Sequence, residues 1–204
     1  MPKPDVSELR TKQIIEAAIG VFAEKGFHPA RMEDISNAAG LSKATIYLYF
    51  KDKDALIKAI ANEVFHHELA ELEAARDQPG TAAEKLQALM ASFVVREEEV
   101  EVSMPIVFEF YVLGTRRPGV QQILSNHLRL SVESIKEILQ QGVEQGEFPA
   151  IDTEKAARTF MALLEGTLAQ ELYISETKDA AELLQYGVNL LLKGLQSETM
   201  DEGP

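Results

Sequence analysis

Residues 33–50, Glu-Asp-Ile-Ser-Asn-Ala-Ala-Gly-Leu-Ser-Lys-Ala-Thr-Ile-Tyr-Leu-Tyr-Phe, constrain this chain more than any other stretch. They read as two short helices joined by a tight turn. Ile35, Ala38 and Ala39 follow helical spacing, and Gly40 can adopt the left-handed conformation that stops a helix. Leu41 supplies a side chain to bury, and the hydroxyl of Ser42 can accept from a free amide of the next turn. The second helix, Lys43 to Phe50, puts Ile46 and Phe50 four apart on one face. Lys43, Ala44, Thr45, Tyr47 and Tyr49 are then available to point elsewhere. A short helix-turn-helix whose outer face carries a base, a small residue, hydroxyls and phenols suits the DNA major groove.

Net charge at first opposes that reading, because the chain carries -13 and DNA repels anions. The distribution removes the objection. Residues 1–60 hold nine Lys/Arg against eight Asp/Glu, a net of +1, so the remainder carries -14. An acidic body facing away from DNA discourages non-specific binding while local cations still meet phosphates. With 46% apolar and 26% charged residues, the composition is that of a soluble globular protein. No apolar run approaches the roughly 20 residues that span a bilayer, and the N-terminus lacks the apolar core of a signal peptide. Zero cysteines exclude disulfides, thiolate metal sites and cysteine nucleophiles. The expected compartment is the cytoplasm, with no membrane partner.

Periodicity predicts an all-α chain of about nine helices without internal repeats. The first runs from about Ser7 to Lys25, with Leu9, Ile14, Ala17, Ala18, Val21 and Phe22 on its apolar stripe and Gly26 at its end. That stripe is the natural cover for Ile35, Leu41, Ile46 and Phe50, giving a three-helix domain over residues 1–52. Asp52 caps a long linking helix to about Asp77, which opens a second helical region over residues 53–204. Thr81 and Glu84 form a capping-box pattern. Glu97-Glu98-Glu99 reads as a solvated helix end or turn, and Pro105 as the start of a helix through Gly114. Further helices are expected over about Val120 to Gln145, about Thr153 to Ile174 behind Asp152 or Thr153 as cap, and about Asp179 to Leu195.

Laid out in order, the N-terminal quarter resembles the tetracycline-repressor (TetR) family of transcriptional regulators. The matching residues are Ile14-Ile15-Glu-Ala-Ala, Val21-Phe22-Ala-Glu-Lys-Gly26-Phe27, Met32-Glu-Asp34-Ile35, Ala38-Ala39-Gly40-Leu41-Ser42-Lys43, and Thr45-Ile46-Tyr47-Leu-Tyr49-Phe50-Lys-Asp-Lys53-Asp54-Ala-Leu56. Over about residues 10–57 these fall at many fixed offsets, so the match is specific; beyond them the agreement is in architecture alone. Two positions depart from the family's pattern. Arg31 stands where Thr or Ser usually caps the second helix, leaving Asp34 without a hydroxyl partner. Either its guanidinium approaches a phosphate, or Ala30 and Arg31 leave that helix weakly capped. Ala44 stands where glycine is common, adding a methyl that can touch thymine.

The resemblance implies a DNA-contacting set of Arg31, Ser42, Lys43, Ala44, Thr45, Tyr47, Tyr49 and Lys53. Lys43 and Ala44 stand where the family reads base edges; Thr45, Tyr47 and Tyr49 stand where it holds phosphates. Lys53, at the start of the long helix, stands as a further phosphate clamp beside exposed helix amides. The alternative is that both lysines are solvated and the tyrosines pack on the core. The resemblance also implies a homodimer through the last two helices, with Leu163, Gly166, Leu184, Gly187 and Leu191 at its interface; glycines inside helices suggest close approach.

The same resemblance implies an effector pocket in the middle helices. Phe93, Met104, Phe108, Phe110 and Tyr111 would give it an aromatic and thioether lining, with His127 and Arg129 as polar anchors. Core packing is the competing explanation for each. No cofactor is expected. His67-Glu68-Leu69-Ala70-Glu71 lacks the second histidine of a zinc-protease motif, and adjacent histidines face different sides of a helix, so no metal site is expected. The function these readings imply is a ligand-responsive repressor, not an enzyme, binding a pseudo-palindromic operator as a dimer and released by an apolar or aromatic effector. An activator or a ligand-independent regulator remains open, as do an all-helical enzyme and a protein-interaction module.

Overall fold

A computed structural model describes residues 6–94, 97–171, 173–174 and 180–196, with the side chains at 92–94, 97–105 and 171 excepted. Among the described residues the chain is helical throughout, with no strand. The helices are α1 (Val6–Lys25), α2 (Met32–Ala38), α3 (Lys43–Tyr49), α4 (Lys53–Asp77), α5 (Ala82–Val94), α6 (Glu97–Gly114), α7 (Pro118–Glu144), α8 (Thr153–Glu171) and α9 (Ala180–Gln196). The all-α expectation therefore holds, with nine helices among those residues.

The two compact units do not follow a break after residue 52. One gathers the chain up to His66 together with Glu98–Ser125; the other gathers His67–Glu97 and the chain from Asn126 onward. The physical reason lies in the first unit's core. Ile14, Phe22, Ile35, Ile46, Leu56, Ile57 and Ile60 share it with Ile106, Phe110 and Val120, so α6 and the start of α7 complete the burial that α1 to α4 begin. An aromatic chain runs through it. Phe22 meets Phe27 edge-on at 4.8 Å, Phe27 meets Phe110 at 4.9 Å, and Phe110 meets Phe65 at 5.7 Å. Leu9, expected on the buried stripe of α1, is instead 53% exposed.

In the second unit, α5 and α8 both pack on α9. The core there joins Leu72, Leu86, Leu89, Ile138, Phe160, Leu164, Leu184 and Val188. The start of α5 is held by anions, as the positive end of a helix favours. Thr81 and Glu84 make the expected reciprocal cap, at 2.9 Å and 3.2 Å. Glu147 accepts from the amides of Ala82 and Ala83 at 2.7 Å and 2.8 Å.

One element begins elsewhere than its sequence suggested. α6 spans Glu97–Gly114, so Pro105 lies inside the helix and does not begin it.

Candidate nucleic-acid interface

The helix-turn-helix is built from local rules that its residues satisfy closely. α2 ends in a Schellman arrangement: Gly40, at φ 64°, donates to Asn37 O at 3.2 Å, and Leu41 donates to Ser36 O at 3.0 Å. A Cβ on Gly40 would meet nothing within 4 Å, so glycine is required there for its backbone alone. Gln13 of α1 donates to Ala39 O at 2.8 Å and holds the same helix end from outside. Ser42 then caps α3, accepting from the Thr45 amide at 3.0 Å, while the two hydroxyls lie 2.8 Å apart.

At the start of α2 only half of a capping box exists. Asp34 accepts from the Arg31 amide at 2.8 Å, but a guanidinium has no acceptor to offer in return. Lys25 supplies a partner instead, 2.8 Å from the other Asp34 oxygen. That hydrogen bond, and then the one from the Arg31 amide, hold the Asp34 carboxyl below its ordinary range. Asp34 in turn raises Lys25. Arg31 itself is exposed.

Ile46 is fully buried under α3, and Phe50 beyond its end is buried too. Lys43, Ala44, Tyr47 and Leu48 are exposed, with Tyr47 at 45% and Leu48 at 83%. Thr45 is half-buried, and Tyr49 packs against the core cluster. Sequence reading missed Leu48. Its signal was the four-residue step from Ala44, which puts two apolar side chains on one face.

Lys53 departs most from its expected task. Its ammonium donates to three backbone carbonyls of the loop after α1: Phe27 O at 2.7 Å, His28 O at 3.0 Å and Ala30 O at 2.9 Å. An ammonium has three donors, so all are engaged within the chain. Its position was read from the sequence; the carbonyls that approach it were not.

Comparison with known proteins bears on this site directly. A family model described as bacterial regulatory proteins, tetR family, matches residues 14–60. A second, the tetracyclin repressor-like C-terminal domain, matches residues 85–182. The regulator BetI of Klebsiella pneumoniae is 30% identical over 135 residues, covering 63% of this chain and 68% of its own. The chain belongs to the TetR family. It is thus a helix-turn-helix DNA-binding transcriptional regulator. The Salmonella enterica GusR structure is 26% identical with a TM-score of 0.77, covering 95% of this chain and 98% of that one. A transcriptional regulator FadR from Bacillus subtilis, solved in complex with stearoyl-CoA, shares the fold at TM-score 0.74 and 24% identity, over 92% of this chain and 98% of its own.

The remaining expected sites of this TetR-family chain divide between its two units. Phe110 is fully buried in the first unit, committed to the aromatic chain. Phe108 and Tyr111 are half-buried there, with ring centroids 6.2 Å apart. His127 belongs to the second unit, 7% exposed, with Nε2 3.2 Å from a Glu68 carboxylate oxygen. Arg129 is exposed and donates to Asn126 at 3.0 Å. The side chains of Phe93 and Met104 lie outside the described residues.

The expected interface residues lie on α8 and α9 of the second unit. Leu184 is 1% exposed, and Leu163 and Leu191 pack against the same core. A Cβ on Gly187 would lie 2.7 Å from Leu163, so its close approach serves α8–α9 packing within the chain. Leu183, Tyr186 and Leu190 are the large exposed apolar residues of α9, at 41%, 62% and 53%. On α8, Gly166 has open space where a Cβ would stand.

Proposed function

We propose that this regulator is a homodimeric repressor that binds a pseudo-palindromic operator and is released by a small apolar or aromatic effector. The observation that carries the DNA half is α3, where a cation, a phenol and two apolar side chains stand exposed over a buried Ile46. Lys43, Ala44 and Leu48 are assigned to base edges, and Ser42, Thr45, Tyr47 and Arg31 to phosphates. Lys53 is assigned to holding the domain together. Tyr49 supports the helix by packing.

One such helix reads only a few base pairs, so two copies about 34–36 Å apart are needed. Support for a dimer comes from α9, whose Leu183, Tyr186 and Leu190 recur on one face, and from α8, where exposed Ala162 and half-buried Gly166 offer a low surface four residues apart. The face Leu183–Tyr186–Leu190 replaces Leu184–Gly187–Leu191 as the proposed contact. The effector reading rests on the polar pair His127–Glu68 within the second unit and on the relative that carries stearoyl-CoA. Effector binding is proposed to tilt α4 and alter the spacing of the two recognition helices, for which a coupling of about 1–3 kcal/mol suffices. The proposed compartment is the cytoplasm, and the role regulation rather than catalysis.

Selection of bound sequences from random DNA at two salt concentrations tests this. The expected product is a palindrome whose recovery is lost on Lys43→Ala or Tyr47→Ala. Retention that is salt-sensitive but without sequence preference overturns it.

A further inference from the structure

The loop from Gly26 to Ala30 joins α1 to α2 and so sets where the helix-turn-helix begins. One residue of it, Phe27, is held on three sides. Its carbonyl accepts from Lys53 of α4 at 2.7 Å. Its ring, 3% exposed, lies 4.9 Å from Phe110 of α6. Its amide donates to the Glu109 carboxylate, also of α6, at 2.6 Å across 82 residues of sequence. The second Glu109 oxygen lies 2.9 Å from where a Cβ on Gly26 would stand, so Gly26, at φ 76°, is required both for its backbone and for this approach. Glu109 is the one charged residue between Pro105 and Leu113. Glu109 is half-buried, and its carboxylate meets the Phe27 amide in a charge-assisted bond.

This contact also joins the two parts of the chain that the family models match, since Phe27 lies within residues 14–60 and Glu109 within residues 85–182. A second tie runs alongside, because Arg117, in the turn between α6 and α7, pairs with Asp54 in the first turn of α4. A loop gripped at its amide from α6 and at its carbonyls from α4 cannot keep both grips when those helices move apart. We propose that Glu109 is a positioning residue for DNA binding: through the Phe27 amide it ties α6 to the entry of α2 and fixes the pose in which α3 is presented. The proposal rests on the DNA-binding reading above and adds the residue through which α6 governs it.

The test uses the full-length protein and the selected operator, with versions lengthened or shortened by one base pair between half-sites. Four proteins are compared: wild type, Glu109→Gln, Glu109→Asp and Glu109→Ala. Gln keeps an acceptor at the same reach; Asp keeps the charge but falls a methylene short. Binding is therefore expected to follow acceptor reach, not charge and not melting temperature. Gln stays within about threefold of wild type, whereas Asp and Ala weaken on the order of tenfold, within the usual range of coupling between sites. Asp and Ala also lose the preference for the native half-site spacing, a readout that mere destabilisation leaves untouched. Amide exchange at Phe27 accelerates in Asp and Ala but not in Gln. Wild-type spacing preference and affinity in the Asp variant overturn the proposal alone; absence of sequence-specific binding by wild type overturns the DNA-binding reading along with it. If Ala fails to fold, the Gln and Asp pair decides.

Discussion

Two lysines ten residues apart in the first unit have opposite fates. Lys43 stands exposed at the start of α3, whereas Lys53 at the start of α4 is bound to three carbonyls of the loop that leads into α2. The same contrast separates the regions around them. Along α3, the exposed residues Lys43, Ala44, Tyr47 and Leu48 leave the shape of the domain to Ile46 beneath. Around the α1–α2 loop, the polar groups of Lys53 and Glu109 are fixed by the chain itself. A reading surface has to keep its hydrogen-bonding capacity for another molecule. A joint has to use that capacity internally, since a buried polar group without a partner is costly.

The contrast can be broken most forcefully from below. Ile46→Ala empties a fully buried site and is expected to lower stability by about 2–5 kcal/mol, measured by urea or thermal unfolding. A loss below about 1 kcal/mol would mean that α3 does not depend on its buried face.

Next in size is Lys53→Met, which keeps the aliphatic stem and removes the ammonium. The joint reading expects a loss of about 2 kcal/mol, the scale of hydrogen bonds made by a charged group. A phosphate clamp would leave unfolding unchanged and lower the slope of log affinity against log salt by about 1. Unfolding and salt titration on the same preparation separate the two roles.

Leu48→Ala probes the opposite region. At 83% exposure its truncation is expected to change stability by less than about 0.5 kcal/mol. Operator affinity is expected to fall by about 1 kcal/mol if the side chain is buried against a base methyl. Equal affinity for the selected operator would remove Leu48 from the reading face.

The smallest effect concerns pH. Lys25 and Asp34 form an exposed pair at the entry of α2, the carboxyl lowered chiefly by its hydrogen bond to the lysine and the lysine raised by the same bond. A lowered carboxyl contributes above its unfolded pKa and loses that contribution as pH falls through the folded value. A raised lysine contributes below its unfolded pKa and loses it as pH rises through the folded one. The pair is therefore constant near neutrality and fades at both extremes. Melting temperature followed from neutral into acid is expected to fall less steeply for Asp34→Asn than for wild type; identical acid limbs would exclude this contribution.

Much of the fold was legible because local rules and tertiary needs agree there. Ser42 and Gly40 announce a cap and a stop, and the structure uses both. Ile14, Phe22, Ile35 and Ile46 recur at helical spacing and meet in one core. The start of α6 was misplaced because a proline is a strong local signal, yet Pro105 lies inside the span of that helix. The proposed dimer face shifted by one residue because α9 carries apolar side chains on two adjacent faces, and only packing shows that Leu184 and Val188 turn inward while Leu183 and Tyr186 do not.

By itself the sequence determined the helix-turn-helix, the family to which it points and the exposure of Lys43, Ala44 and Tyr47 on α3, though not that of Leu48 or the packing of Tyr49. Capping, glycine stops and apolar period act over a few residues, so each is written where it acts. Only the tertiary structure decided the task of Lys53, the grip of Glu109 on Phe27 and the side of α9 that stays exposed. Those depend on partners 23 to 82 residues away, and on which of two similar faces finds a neighbour first; no local pattern encodes either.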